Sequence, residues 1–129
     1  MPLTPQEQSV KELLIANYLP FEAHHVFELS PSVRISVDFL IFSDAGIVLE
    51  CTYCTKRRGS AISEAKRRGA FINYRFGLLK QTLPGLVCGA LIEAPNEDRS
   101  FTRKNLERVL SNANFLALSL EELRSSLGS

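Results

Sequence analysis

Tryptophan is absent from the 129 residues, methionine occurs once and cysteine three times. Three cysteines in a chain this size do not make a disulfide framework, which points to a reducing, cytoplasmic compartment. Long hydrophobic runs are also missing. The longest nearly apolar stretch, Leu86 to Ile92, is far too short to span a bilayer, and the opening Met1-Pro2-Leu3-Thr4-Pro5 has neither a basic region nor an apolar segment. These absences predict a soluble protein that does not contact membrane. No internal repeat, low-complexity tract or linker divides the chain, and 45% hydrophobic residues are enough for one domain, 1–129, with a real core.

An excess of charge of either sign is missing overall, since the net is +1, but the distribution is uneven. Residues 1–50 carry Lys11 and Arg34 against seven acids, whereas residues 51–80 carry eight Lys or Arg against Glu64 alone. The basic stretch reads either as a solvated helix face or as a surface for a phosphate backbone.

What the chain does contain is centred on Val33 to Lys56. Val33, Ile35, Val37, Phe39 and Ile41 alternate with Arg34, Ser36, Asp38, Leu40 and Phe42, the period of a strand with two different faces. Ser43-Asp44-Ala45-Gly46 supplies a turn, and Ile47 to Tyr53 forms a second strand with Val48, Glu50 and Thr52 on one side. A hairpin with a loop at 43–46 sets Phe42 against Ile47 and brings Asp38 beside Glu50 and Cys51. Two carboxylates among apolar neighbours need a counter-charge. Hard oxygen ligands suit Mg²⁺ or Mn²⁺.

The segment Arg34-Ile35-Ser36-Val37-Asp38-Phe39-Leu40-Ile41, followed by Ile47-Val48-Leu49-Glu50-Cys51-Thr52, resembles the core of the PD-(D/E)XK nuclease superfamily, which includes archaeal Holliday junction resolvases, very-short-patch repair endonucleases and many restriction enzymes. The resemblance implies a restriction-endonuclease-like core and a metal held by Asp38, Glu50 and the backbone carbonyl of Cys51. Val37 stands where the pattern often has proline, and Thr52 stands where it has lysine. Members of the superfamily have moved that lysine to the following helix, for which Lys66 is the first candidate and Lys56 the second. An acid near the start of the first helix often reaches toward the metal in relatives, a place that Glu7 matches.

Thr4-Pro5-Gln6-Glu7 is also a capping box, so Glu7 reads equally as the capping carboxylate of a helix over about 5–19 that Pro20 ends. Ala23 to Leu29 predicts a strand in which His24 and His25 point to opposite faces and so do not share a metal. Cys51-Thr52-Tyr53-Cys54 lacks the second ligand pair of a zinc site and the setting of a redox motif. A long helix over 61–82 turns Ile62, Ala65, Gly69, Ile72, Phe76 and Leu79 to the sheet. Lys56, Arg57, Arg58, Arg67, Arg68 and Arg75 are the candidate DNA-contacting residues around it.

The continuous apolar run 86–92 predicts a central strand covered on both faces. A helix capped by Ser100 or Thr102, a short strand over 115–118 and a helix opened by the capping box at Ser119 complete the chain. The element order is α β β β α β α β α, an α/β domain with a mixed sheet flanked by helices. The functional expectation is a metal-dependent DNA endonuclease acting on branched or damaged DNA, with a homodimer suited to two-strand cleavage. The alternative is a catalytically inactive nuclease-fold module for nucleic-acid binding or protein assembly.

Overall fold

The computed structural model describes residues 2–128. Its elements run α1 (Pro5–Ala16), β1 (Phe21–Ser30), β2 (Val33–Ile41), β3 (Ile47–Tyr53), α2 (Ser60–Thr82), β4 (Val87–Glu93), α3 (Arg99–Val109), β5 (Phe115–Ala117) and α4 (Leu120–Gly128), the expected order. The five strands form one sheet in chain order, β1 to β3 antiparallel and β3 to β5 parallel.

Alternation along the central strands divides the core between the two faces. Val48, Cys88, Ala90 and Ile92 meet Ala65, Ile72, Phe76 and Leu79 of α2 and Leu106 of α3. Leu49 and Leu91 meet Val10 and Leu14 of α1 and Leu123 of α4 on the other face. The continuous apolar run in β4 is therefore covered on both sides, and Gly89 within it leaves room for the Phe115 ring, which a Cβ would overlap. Among the described residues no helix is long and apolar enough to cross a membrane.

Three local expectations change. α1 ends at Ala16 rather than near 19, because the Asn17 side chain turns back to the Leu13 carbonyl and Tyr18 adopts a left-handed φ of 55°. Asp98, not Ser100 or Thr102, caps α3, its carboxylate accepting from the Phe101 N–H at 2.9 Å. The hairpin register differs by one residue: Ile41, not Phe42, faces Ile47. The Phe42 N–H donates to the Pro20 carbonyl at 2.8 Å instead of joining the ladder, and Gly46 at φ 80° closes a longer loop. Carried one step past the last pair, this register aligns Asp38 with Glu50, and Asp38 still neighbours both Glu50 and Cys51, as expected.

A second irregularity lies on the other side of β2. Pairing with β1 continues from Phe21↔Ile41 to Ala23↔Phe39 and from His25↔Val37 onward, but His24 and Asp38 form no pair. His24 sits at a left-handed φ of 53°. Phe21, Ala23, Phe39 and Ile41 belong to the α1/α4 side of the core, while Phe27, Leu29, Ile35 and Val37 belong to the α2/α3 side. Both strands thus exchange faces at one point, and Asp38 occupies it.

Candidate metal and phosphate site

Regular pairing between β2 and β3 ends at Phe39↔Leu49, and beyond it side chains take over from the backbone. The Asp38 N–H donates to Glu50 Oε1 at 2.9 Å, and the Cys51 N–H donates to Asp38 Oδ2 at 2.7 Å. Each carboxylate is fastened to the opposite strand, so the two cannot swing apart. The N–H and C=O of one strand residue point to the same neighbouring strand, which directs the Cys51 carbonyl to the Asp38 side as well.

Helix α1 adds a third carboxylate. Gln6 Nε2 donates to the Thr52 carbonyl and to Glu93 Oε1, both at 2.9 Å, which fixes the start of the helix over the ends of β3 and β4. Glu7 completes the capping box and also faces the site: Oε1 accepts from the Thr4 N–H at 3.0 Å and lies 3.4 Å from His24 Nε2. Ligand atoms of Glu7, His24 and Asp38 all lie within 4.8 Å of one another. The two readings of Glu7, cap or site acid, are one geometry.

Burial and like charge set the proton affinities. Burial, with Asp38 and Glu7 nearby, pushes Glu50 up to about 7 against the pull of Arg75. Burial likewise raises Asp38 to about 6, with the charge of Glu7 and its hydrogen bond adding to the shift. Burial opposes the shift of Glu7, yet the Thr4 N–H, Asp38 and His24 hold its carboxyl below the ordinary value. Of this neighbouring pair, Asp38 is therefore the stronger base and Glu7 the stronger acid. Glu7, His24 and Asp38 set their ligand atoms close enough to hold one cation, with Glu50 fastened to Asp38 beside them, and a cation bound there would displace protons from the acids of raised affinity.

Helix α2 forms the opposite wall. A cleft of about 690 Å³ is lined by Asp38, Glu50, Cys51, Thr52, Arg67, Arg68, Phe71 and Arg75 among others. Arg75 Nη1 lies 3.1 Å from Glu50 Oε2. Arg68 Nη1 donates to Thr52 Oγ1 at 2.7 Å, and its Nη2 lies 3.8 Å from Glu64. A guanidinium from α2 therefore stands at Thr52, the position where the resemblance has lysine.

The structure does not bring Lys66 there. It is exposed and absent from the cleft lining, because two residues along a helix turn it about 200° away from Arg68. Lys56 pairs with Glu64 at 3.5 Å. Arg57 and Arg58 are exposed in the loop before α2 and outside the cleft. That loop is held by Glu97, whose Oε2 accepts from the N–H groups of Gly59 at 2.8 Å and Ile62 at 2.7 Å at the N-terminus of α2.

All three cysteines are free, and burial first of all raises each thiol: Cys54 and Cys88 to about 11, and Cys51 well above its ordinary value. None is a thiolate near neutral pH, so none is a ready nucleophile. The residue that sequence reasoning left out is His24. Alternation alone sends it to a fixed face, and nothing in the local sequence marks the left-handed backbone that turns it to Glu7.

No family model and no curated protein matches the sequence. A crystal structure described as a protein of unknown function, AF1548, is similar at 13% identity and a TM-score of 0.54, over 95% of this chain. The chain spans 65% of that protein's length, and the likeness concerns the fold alone.

Proposed function

We propose that this chain is a metal-dependent DNA endonuclease of the PD-(D/E)XK kind, hydrolysing phosphodiesters in branched or damaged DNA. The observation that carries the reading is the crossed fastening of Asp38 and Glu50, which holds two carboxylates of raised proton affinity in a gap of the sheet facing a wall of arginines. Arg75 pairs with Glu50, but one guanidinium does not balance this group of acids. Converging acids with raised affinities are the arrangement of a site that trades protons for a cation.

Asp38, Glu50 and the Cys51 carbonyl would hold Mg²⁺ or Mn²⁺, with Glu7 as a further acid. The cation supplies Lewis acidity, making water more acidic and offsetting charge on the phosphate. The chain's own groups do the rest. Glu7, the acid of lowered pKa, keeps its negative charge beside Asp38 and so favours a cation there. Arg68, anchored on Thr52, and Arg75 offer guanidiniums to the phosphate oxygens, whose negative charge grows as water adds and a P–O bond breaks. Arg57, Arg58 and Arg67 extend the basic surface along the backbone without reading sequence. Free, unreactive thiols suit the reducing cytoplasm, and a homodimer would set two such sites on two strands.

A second reading, an inactive module of the same fold that binds nucleic acid, is favoured by Thr52 in place of lysine and by the pairing of Arg75 with Glu50. One assay separates the two. Linear, branched and single-stranded DNA are incubated with the parent protein, Asp38→Asn and Glu50→Gln in Mg²⁺, Mn²⁺ or EDTA. The nuclease reading expects cleavage by the parent only with metal, lost by about 100-fold or more in each variant while circular dichroism is unchanged. A parent that binds DNA and cleaves none of it in Mn²⁺ leaves the binding module.

A further inference from the structure

The solvent face of α2 beside the cleft is neither purely apolar nor purely basic. Phe71 and Tyr74 are 61% and 63% exposed, ring surface that folding leaves in water. They stand among Arg67, Arg68 and Arg75, and from Lys66 to Lys80 the helix carries no acid. Positions 67, 71, 74 and 75 follow the three- and four-residue spacing of one helix face. The Arg75 guanidinium lies 5.4 Å from the centroid of Phe71 and steadies the ring at the cleft, which Phe71 lines together with Asp38 and Glu50.

Charge and shape together select the occupant. An apolar protein surface would cover the rings but would take the exposed Arg67 and Arg68 out of water with no acid of its own to meet them. A continuous duplex would satisfy the arginines through its phosphates and leave the rings in water, since its bases are stacked on each other. A strand with unpaired bases uses both features, flat apolar faces on the rings and phosphates on the guanidiniums.

We propose that this face holds a DNA segment with unpaired bases, stacked on Phe71 and Tyr74, with Arg67, Arg68 and Arg75 taking its phosphates. The proposal rests on the nuclease reading for what happens to the bound strand, and it narrows the substrate to DNA that is single-stranded or locally unpaired next to the carboxylates. Because Phe71 and the acids line one cleft, a stacked base sets its adjoining phosphate toward Glu50.

Binding measured in EDTA, without cleavage, tests it. Fluorescence anisotropy with a labelled oligothymidylate and a fully paired duplex of the same length should show tighter binding of the single strand. Phe71→Ala and Tyr74→Ala should each weaken single-strand binding by about tenfold, leave duplex binding within about twofold and leave the salt slope unchanged. Phe71→Trp should keep the preference. Both rings are exposed, so thermal melts of the variants should match the parent. The proposal fails if the alanine variants bind the single strand like the parent, or lose duplex binding in equal measure. Tighter binding of the matching ribo-oligonucleotide would overturn the assignment to DNA. Conversion of a dimer to a monomer by Phe71→Ala in sedimentation would assign the face to a second copy of the chain. A parent that binds neither DNA removes the nuclease reading itself, whereas equal binding with indifferent rings removes only the stacking.

Discussion

Arg75 holds Glu50 through a single contact, Nη1 to Oε2 at 3.1 Å, with both side chains largely withdrawn from solvent. The guanidinium stands where a cation would help this acid most. Even so, burial and the neighbouring acids keep Glu50 at about 7, so one arginine does not neutralise the cluster.

Stability of the metal-free protein should therefore fall as pH rises. Asp38 at about 6 and Glu50 at about 7 lie above their ordinary values of 3.8 and 4.5. Between about pH 4.5 and 7 the folded chain keeps protons that the unfolded chain has released, and this stabilisation is lost as pH passes through the folded values. Glu7, lowered, works in the opposite direction, but only below its ordinary value. In EDTA the unfolding free energy, followed by thermal melts, should drop from about pH 5 to about pH 8 by on the order of 2 kcal/mol, and Glu50→Gln should remove most of the drop. A flat profile in the parent would mean that the acids are solvated.

On the proposed reading, metal and Arg75 would compete for Glu50. Arg75→Met removes the positive charge beside it and should tighten Mn²⁺ binding at about pH 8 by roughly tenfold, a modest Coulomb effect at an effective dielectric near 20 or above. Calorimetric titration of parent and variant measures it. Weaker binding in the variant would show that Arg75 orients the ligand rather than opposing the cation.

The guanidinium at Thr52 gives a clear contrast with the exposed lysine nearby. Arg68→Met should lower cleavage by about tenfold to 100-fold through kcat, while Lys66→Met should change it by less than about twofold. Single-turnover cleavage of one substrate by both variants decides it, and the reverse order would return the role to Lys66.

The basic surface has its own signature. Replacing Arg57, Arg58, Arg67 and Arg68 by Ala should weaken binding alike for all sequences and reduce the log-log salt slope by about one unit or less per lost contact. Titrations at several salt concentrations give the slope. An unchanged slope would place DNA elsewhere.

Period and turn chemistry made the fold readable, because each element announces which side it buries. The two-face run of 33–41, the covered run at β4 and the stripe of α2 all emerge from spacing alone. The site was readable only where it follows from that periodicity. Asp38 and Glu50 converge because strands pair, and a one-residue error in register still left them adjacent. Side chains that arrive by other routes were less legible. The reach of Arg68 to Thr52 depends on where α2 crosses the sheet, which no local pattern states. His24 depends on a single backbone torsion that departs from the period on which the reading was built.

The unpaired residues His24 and Asp38 face each other across β1 and β2, one extra on each strand, so the ladder closes again in step on the far side. The two insertions compensate. Shortening either strand alone by one residue would turn half of the hairpin inside out, exposing either Phe27 and Leu29 or Ile35 and Val37. Shortening both together would give an unbroken ladder with every core side chain still facing inward. The interruption thus serves no need of packing: the sheet would close without it, and what it adds is a place for an acid and an imidazole.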